Sequence, residues 1–291
     1  MKIFSVIVCY NPDIINLSLL CQTLINNNSN VIIVDNTSIS YINTNDCFSN
    51  CTFFRLGQNT GIAHAQNIGI KHAIESGAEA IALFDQDSKI ENNFLSSLSD
   101  QLKVDEPKVV APVFIDNVKG IEFPSYRLNK LGFPVKVYNE GRILPYDVDF
   151  VISSGSVATT TTFIKGGLMD EDFFIDYVDT EWCIRCRNKK IPIQIVPGTI
   201  MTHSIGEKHI NLLILSGFIH SPVRCYYQIR NSFLLLRKKD IPLCMALKEI
   251  LSVAVHKAIL IMFVKHKFDY LNMYYLAVIH GICGVVGKKP S

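Results

Sequence analysis

The 291-residue sequence has no Gly-x-Gly-x-x-Gly after its first apolar run, Ile3–Cys9. A dinucleotide-binding Rossmann site would therefore lack the glycine turn that cradles a pyrophosphate. No leader is expected either, because Met-Lys-Ile-Phe-Ser-Val-Ile-Val passes straight into a strand-like pattern. The expected compartment is the reducing cytoplasm, where nine cysteines, an odd number, stay unpaired. Zinc ligation by Cys183 and Cys186 with Cys47 and Cys51 is disfavoured, because the first pair falls inside a helical pattern and the second is irregularly spaced. Nor does any apolar stretch cross a bilayer with comfort. Residues 243–264 are interrupted by Lys248, Glu249, His256 and Lys257, and residues 271–287 are barely long enough and contain Asn272 and His280.

What is present is unevenly charged. Residues 1–204 hold 16 Lys/Arg against 22 Asp/Glu, whereas 205–291 hold 12 against 4, so the C-terminal part is basic by eight charges. Basic residues among Leu, Ile, Val and Tyr suit an anionic membrane surface, and the long aliphatic runs between them disfavour nucleic acid. The expected division is an α/β domain over 1–205 and an amphipathic helical region over 206–291. Its helices are expected to lie in the membrane interface. The alternative is a helical cap packed on the first domain, or on a second copy of the chain in a homo-oligomer.

The chain is organised around Ile81-Ala82-Leu83-Phe84-Asp85-Gln86-Asp87-Ser88. Four apolar residues fit a buried strand, and two carboxylates follow where that strand leaves the sheet. Acidic residues one position apart can hold a divalent cation that bridges to phosphate oxygens. The competing reading is a solvated turn at Asp85, with Asp87 capping a helix over 90–102. Further strands are expected at Ile3–Cys9, 31–34, 52–56, 109–114, 148–152 and 193–196, with helices over 16–26, 65–76, 163–169, 180–188 and 226–237. Residues 116–148 have no clear period and read as an excursion with a short hairpin. Alternating strands and helices predict βαβ units whose loops share one sheet edge, where nucleotides bind.

Two other stretches carry candidate chemistry. Small residues at Gly61, Ala63 and Ala65 let a ligand or another backbone approach, while Asn59 and Asn67 offer hydrogen bonds. The acidic run from Asp170 to Glu181 ends with Asp179 at the expected N-cap of a helix, followed by Glu181, Trp182 and Arg185. His203, after a strand and before Gly206, could reach the same edge as Asp87.

In order, Tyr10-Asn11, Val34-Asp35-Asn36, Asn59-Thr60-Gly61 with Asn67, Asp85-Gln86-Asp87, Ser154-Gly155-Ser156, Asp179-Thr180-Glu181-Trp182 and His203 resemble the inverting family 2 glycosyltransferases. Within them the chain is similar to the dTDP-rhamnosyltransferases of bacterial polysaccharide assembly, for which Asp-Gln-Asp is typical. The resemblance spans roughly residues 3–237 and implies a GT-A fold, a nucleotide-binding α/β half joined to an acceptor-binding half. It implies that Tyr10, Asn11 and Asp35 contact base and ribose. Asn59, Gly61, Asn67, Asp85 and Gln86 would line the nucleotide site. It further implies that Asp87 and His203 bind Mg²⁺ or Mn²⁺, that Ser154, Gly155, Glu181, Trp182 and Arg185 border the sugar and acceptor, and that Asp179 is the catalytic base with a near-normal pKa. The common Glu-Asp pair is here Val178-Asp179. The implied partners are a nucleotide-sugar donor, with dTDP-L-rhamnose favoured, and a polyprenyl-diphosphate-linked saccharide acceptor. The implied location is the inner face of the plasma membrane. Two rival classes are an aspartyl-phosphate phosphatase using Asp85 as nucleophile and a non-catalytic membrane scaffold that binds a nucleotide-sugar.

Overall fold

A strand that is apolar at all but one position must be covered on both faces, and β1 (Ile3–Cys9), interrupted only by Ser5, is buried throughout. Phe4, Val6 and Val8 join one core layer, and Ile3, Ile7 and Cys9 join the other. The computed structural model describes residues 1–42, 48–116, 120–203, 209–212, 215–218, 220–264 and 266–290, without the side chains of 203, 209–212 and 215–218. After β1 come α1 (Ile14–Asn26), β2 (Ser29–Asp35), β3 (Cys51–Arg55), α2 (Ile62–Glu75), β4 (Ala80–Asp85), α3 (Phe94–Ser99) and β5 (Val109–Asp116). The hairpin β6 (Ser125–Leu128) and β7 (Pro134–Val137), the short β8 (Tyr146–Asp147), β9 (Val157–Thr159), α4 (Thr160–Gly166), α5 (Val178–Asn188) and β10 (Ile193–His203) follow. A second hairpin, β11 (His209–Leu212) and β12 (Leu215–Phe218), leads to α6 (Pro222–Leu235), α7 (Leu243–Phe263) and α8 (Lys267–Cys283).

Eight strands form one sheet in the order β3-β2-β1-β4-β9-β5-β10-β8. β3, β2, β1 and β4 run parallel, β9 is antiparallel to both β4 and β5, and β10 is parallel to β5. The C-terminal ends of β1, β2, β4, β5 and β10 and the entry to β9 therefore share one edge. Helices α2 and α5 cover one face with Ala63, Ala65, Ile70, Trp182 and Ile184, and α1 and α3 cover the other with Leu17, Leu20, Leu24, Phe94 and Leu98. The expected α/β class with a hairpin excursion matches this arrangement.

Several expected elements form differently. The helix over 90–102 covers only Phe94–Ser99. Residues 148–152 do not extend a strand: the amides of Asp149 and Phe150 donate to the Tyr126 carbonyl, and the Phe150 ring stacks on Tyr126 at 5.0 Å. The hairpin thus holds this segment out of the sheet ladder. β10 passes Pro197 through an irregularity between Val196 and Ile200 and runs on to His203, so residues 201–203 are strand rather than loop. α5 begins at Val178, and Tyr177 occupies the N-cap position expected for Asp179.

The C-terminal helices pack on one another and on the 172–176 segment. α6 contributes Tyr226, Tyr227 and Ile229 to a cluster with Phe174 and Ala277, and buried Arg230 and Asn231 bond to the carbonyls of Asp172, Phe173, Ile175 and Asp176. Among the described residues, no helix is long and apolar enough to cross a membrane.

Candidate active site

The loops leaving β1 and β2 build the first wall. Asp35 ends β2 opposite Cys9 and is buried; its Oδ1 accepts from the Thr37 amide at 3.0 Å, while its Oδ2 is buried without a partner among the described residues. An unmet buried acceptor costs about 1–3 kcal/mol, which a donor group on a ligand can offset. Asn11, in the left-handed region at φ 48°, donates its amide to Thr37 Oγ1 at 2.8 Å. The Tyr10 backbone and the Gln86 side chain exchange two hydrogen bonds, at 2.7 and 3.2 Å, leaving the Tyr10 ring exposed.

Asn36 fixes the loop before α2. Its Oδ1 accepts from the Thr60 amide at 2.7 Å, and its Nδ2 donates to Asn59 Oδ1 at 3.1 Å and to the Gly61 carbonyl at 3.2 Å. Asn59 is thus tied within the loop. Asn67 is buried farther along α2, where Oδ1 accepts from the Met169 amide and Nδ2 donates to the Met169 carbonyl and Glu171 Oε1, each at 2.8–2.9 Å. It fastens α2 to the acidic segment, and both atoms of its amide are engaged there. Partial burial pushes the Glu171 carboxyl up, but the hydrogen bonds from Asn67 and His64 outweigh it and the net shift is downward.

The second wall is the serine loop before β9. Ser154 is buried; its Oγ accepts from the Asp85 amide at 3.0 Å and lies 3.0 Å from Ser88 Oγ, so it holds both ends of Asp85-Gln86-Asp87. Gly155, at φ +80°, donates its amide to the Leu83 carbonyl at 2.7 Å, and a Cβ there would collide with Met201 Sδ. Only glycine allows that approach. Ser153 meets two further groups: its Oγ receives Gln66 Nε2 at 3.3 Å, and its amide donates to Asp179 Oδ2 at 3.4 Å.

Asp179 lies in the first turn of α5, with Oδ1 also accepting from the Thr180 amide at 2.8 Å. Burial raises its carboxyl above the ordinary 3.8, against the pull of the Thr180 and Ser153 amides, and nearby Asp176 adds to the rise. The near-normal pKa expected from sequence is corrected by that desolvation. The approach to α5 is strained: Phe174, Asp176 and Tyr177 all take positive φ, at 64°, 63° and 65°. Such geometry persists where surroundings over-determine it. Here Asn231 Nδ2 donates to the carbonyls of Phe173, Ile175 and Asp176 at 2.8, 2.7 and 3.1 Å, and Arg224 pairs with Asp176 Oδ1 at 3.3 Å.

Glu181, Trp182 and Arg185 turn away from this edge. Arg185 grips Glu181 through two bonds, at 2.9 and 2.8 Å, and donates to the carbonyls of Gly166 and Leu168. Trp182 is buried, stacks on Phe163 at 5.1 Å and donates to the Gly167 carbonyl. Helical spacing put them one turn beyond Asp179, but their side chains join α5 to α4. Gln66, Asp176 and Asn231, to which the motifs assign no role, also meet the loops around Asp179. The available signal was the polar pair Arg230-Asn231 inside an amphipathic helix.

Asp87 is exposed at the edge, two residues beyond the end of β4. An antiparallel bridge pairs Lys89 with Thr202, so the backbone carrying His203 runs beside the backbone carrying Asp87. The His203 side chain lies outside the described residues, as does Cys47. Among the described residues, no three His, Cys, Asp or Glu side chains stand together as a metal site.

The edge therefore gathers Tyr10, Asp35, Asp85, Gln86, Ser154, Gly155 and Asp179. Residues 5–160 match the family model described as "Glycosyl transferase family 2". The chain is 41% identical over 287 residues, 98% of its length and 97% of the relative's, to the dTDP-rhamnosyl transferase RfbF of Shigella flexneri. Two solved structures share the fold. TarS residues 1–349 of S. aureus, in complex with UDP-GlcNAc, superposes with TM-score 0.57 at 15% identity over 98% of this chain and 84% of that one. GalNAc-T7 with UDP, GalNAc and Mn²⁺ gives TM-score 0.57 at 13% identity over 80% of this chain, which spans 51% of that one. The phosphatase and scaffold readings are set aside by these likenesses. An α/β sheet with mixed strands, its loops converging on one edge, and a family match over more than half the chain make this protein a member of glycosyl transferase family 2.

Proposed function

We propose that this glycosyltransferase moves L-rhamnose from dTDP-L-rhamnose to a hydroxyl of a polyprenyl-diphosphate-linked saccharide, with inversion, in assembly of a bacterial surface polysaccharide such as O-antigen or capsule. The observation that carries the reading is the tether from the Ser153 amide to Asp179 Oδ2, which holds a carboxylate at the edge where Asp35 and Asp85 emerge. The donor comes from the 41% identical dTDP-rhamnosyl transferase. The residues suit a thymidine nucleotide. The unmet Asp35 Oδ2 matches a pyrimidine imide N–H, and the exposed Tyr10 ring can stack on a base.

In this reading Asp179 takes the proton of the acceptor hydroxyl as that oxygen attacks the anomeric carbon from the face opposite the nucleotide. One displacement forms the new glycosidic bond, breaks the bond to the diphosphate and inverts the centre. Desolvation makes Asp179 a stronger base than an exposed aspartate. Asp87 and His203 would hold Mg²⁺ or Mn²⁺, a hard cation needing few protein ligands when it shares phosphate oxygens, and the cation would offset charge on the leaving dTDP.

The lipid-linked acceptor rests on the C-terminal helices. Exposed Leu247, Leu251 and Val255 recur every four residues along α7, as do Leu271, Tyr275 and Ile279 along α8. Two apolar stripes in a region basic by eight charges suit peripheral attachment to an anionic cytoplasmic membrane face.

The test is a thermal-shift screen with Mn²⁺ against dTDP-, UDP- and GDP-sugars, followed by product analysis. dTDP-L-rhamnose is expected to raise the melting temperature most. Membrane extracts holding the lipid-linked acceptor are then expected to trigger dTDP release and yield a rhamnoside of inverted configuration by NMR. Preferential stabilisation by UDP- or GDP-sugars, or a retained configuration, refutes the assignment.

A further inference from the structure

On the other flank of the first turn of α5, a cavity of about 310 Å³ opens between the strained loop, α6 and α7. Asp176, Tyr177 and Thr180 form one wall, Gln228 a second, and Ser252, Val253, His256 and Lys257 of α7 the third. Thr180 follows Asp179 directly, so the cavity adjoins the carboxylate without including it. Its volume falls at the small end of ligand pockets.

The lining does not suit an apolar ligand: the Asp176 carboxylate, the Lys257 side chain, an amide, hydroxyls and an imidazole outnumber the single aliphatic side chain, Val253. Two of the lining atoms are hydrogen-bond acceptors without partners. Asp176 Oδ2 and Gln228 Oε1 are both buried and unmet among the described residues, although Asp176 Oδ1 is engaged by Arg224. Two unmet acceptors in one cavity call for a ligand with several donors. Burial, and then Lys257, hold the His256 imidazole below its ordinary 6.5, which adds a neutral group able to donate or accept. A sugar ring presents hydroxyls of that kind around its rim.

The strain has a use in this setting. Asp176 and Tyr177 reach the cavity from a loop that is left-handed at both residues, which the hydrogen bonds from Asn231 Nδ2 to the carbonyls of Phe173, Ile175 and Asp176 sustain. α7 links the cavity to the outside: Ser252, Val253 and His256 face it, while Leu247, Leu251 and Val255 form the neighbouring exposed stripe.

We propose that this cavity is a saccharide subsite, in which Asp176 and Gln228 accept hydrogen bonds from hydroxyls of an acceptor sugar beside the one that is glycosylated. The proposal rests on the glycosyltransferase reading of Asp179 given above. It adds a specificity element supplied by α6 and α7.

The experiment measures saturation-transfer NMR from the full chain to methyl glycosides of rhamnose, glucose, galactose and N-acetylglucosamine, without donor. Gln228→Leu removes one unmet acceptor, and Ser252→Trp fills the mouth of the cavity. At least one glycoside is expected to bind the wild type, and both variants are expected to weaken that binding at least tenfold. Melting curves report whether each variant is folded, and if Gln228→Leu is not, Ser252→Trp decides alone. Absence of transfer to every glycoside, or transfer unchanged in the folded variants, overturns the subsite. Failure of the donor reading shows separately, as absence of thermal stabilisation of the wild type by dTDP.

Discussion

The ring of Phe174 lies where a side chain at Gly61 would have to go: a Cβ there would stand 2.7 Å from Phe174 Cδ2 and 2.7 Å from its carbonyl oxygen. The Ile62 amide donates to that carbonyl at 2.7 Å, so the loop before α2 and the loop before α5 close directly on each other. The expectation that something approaches Gly61 closely is met by protein.

Gly61→Ala should therefore disturb both loops at once. Its φ of 91° is strained for alanine, and the clash is with backbone as well as ring. A loss of about 2 kcal/mol or more in urea unfolding is expected, with weaker dTDP binding by calorimetry. Wild-type stability in this variant would show that the contact yields cheaply.

Asn231→Ala tests whether α6 holds the strained loop. The substitution leaves the carbonyls of Ile175 and Asp176 without this donor, and each unmet buried acceptor costs about 1–3 kcal/mol. Stability should fall by roughly 2–4 kcal/mol, and turnover should drop more than donor affinity, because the loop leads to Asp179. Equal loss of kcat and donor binding would contradict a role confined to that loop.

Asp179→Asn should reduce transfer by at least ~10²-fold, the usual scale for a general base, while dTDP affinity stays near wild type. Its stability effect has a definite sign. The folded carboxyl has a raised pKa, so its contribution is fully present below the unfolded value near 3.8 and is lost as pH rises through the folded value. The neutral amide escapes that loss. The variant should melt higher than wild type at pH 7, and the gap should shrink as pH falls toward 4, by calorimetry. For the same reason the acidic limb of the wild-type rate profile should lie above the ordinary aspartate range.

Asp87→Ala should abolish the Mn²⁺-dependent part of dTDP binding, read as calorimetry with and without the metal. Asp35→Ala should instead weaken binding about 10-fold or more with metal present or absent, since it removes the unmet acceptor. Metal-independent binding that survives unchanged in both variants would remove the nucleotide site from this edge.

The sequence by itself determined the parallel part of the sheet and the edge at which its loops gather. Runs such as Ile3–Cys9, broken only by Ser5, and the strand ending at Asp85 are nearly continuous in apolar residues, and that pattern needs only local spacing to be read. Tertiary structure alone decided which polar residues face that edge. Asp179, Glu181, Trp182 and Arg185 share one helix, yet Asp179 faces the serine loop while the others turn to α4. Likewise Asn67 joins α2 to Met169, 102 residues away, and Asn231 reaches the strained loop from 55 or more residues beyond it. A buried amide bonds to whichever backbone the packing leaves unmet, and sequence spacing holds no record of that partner.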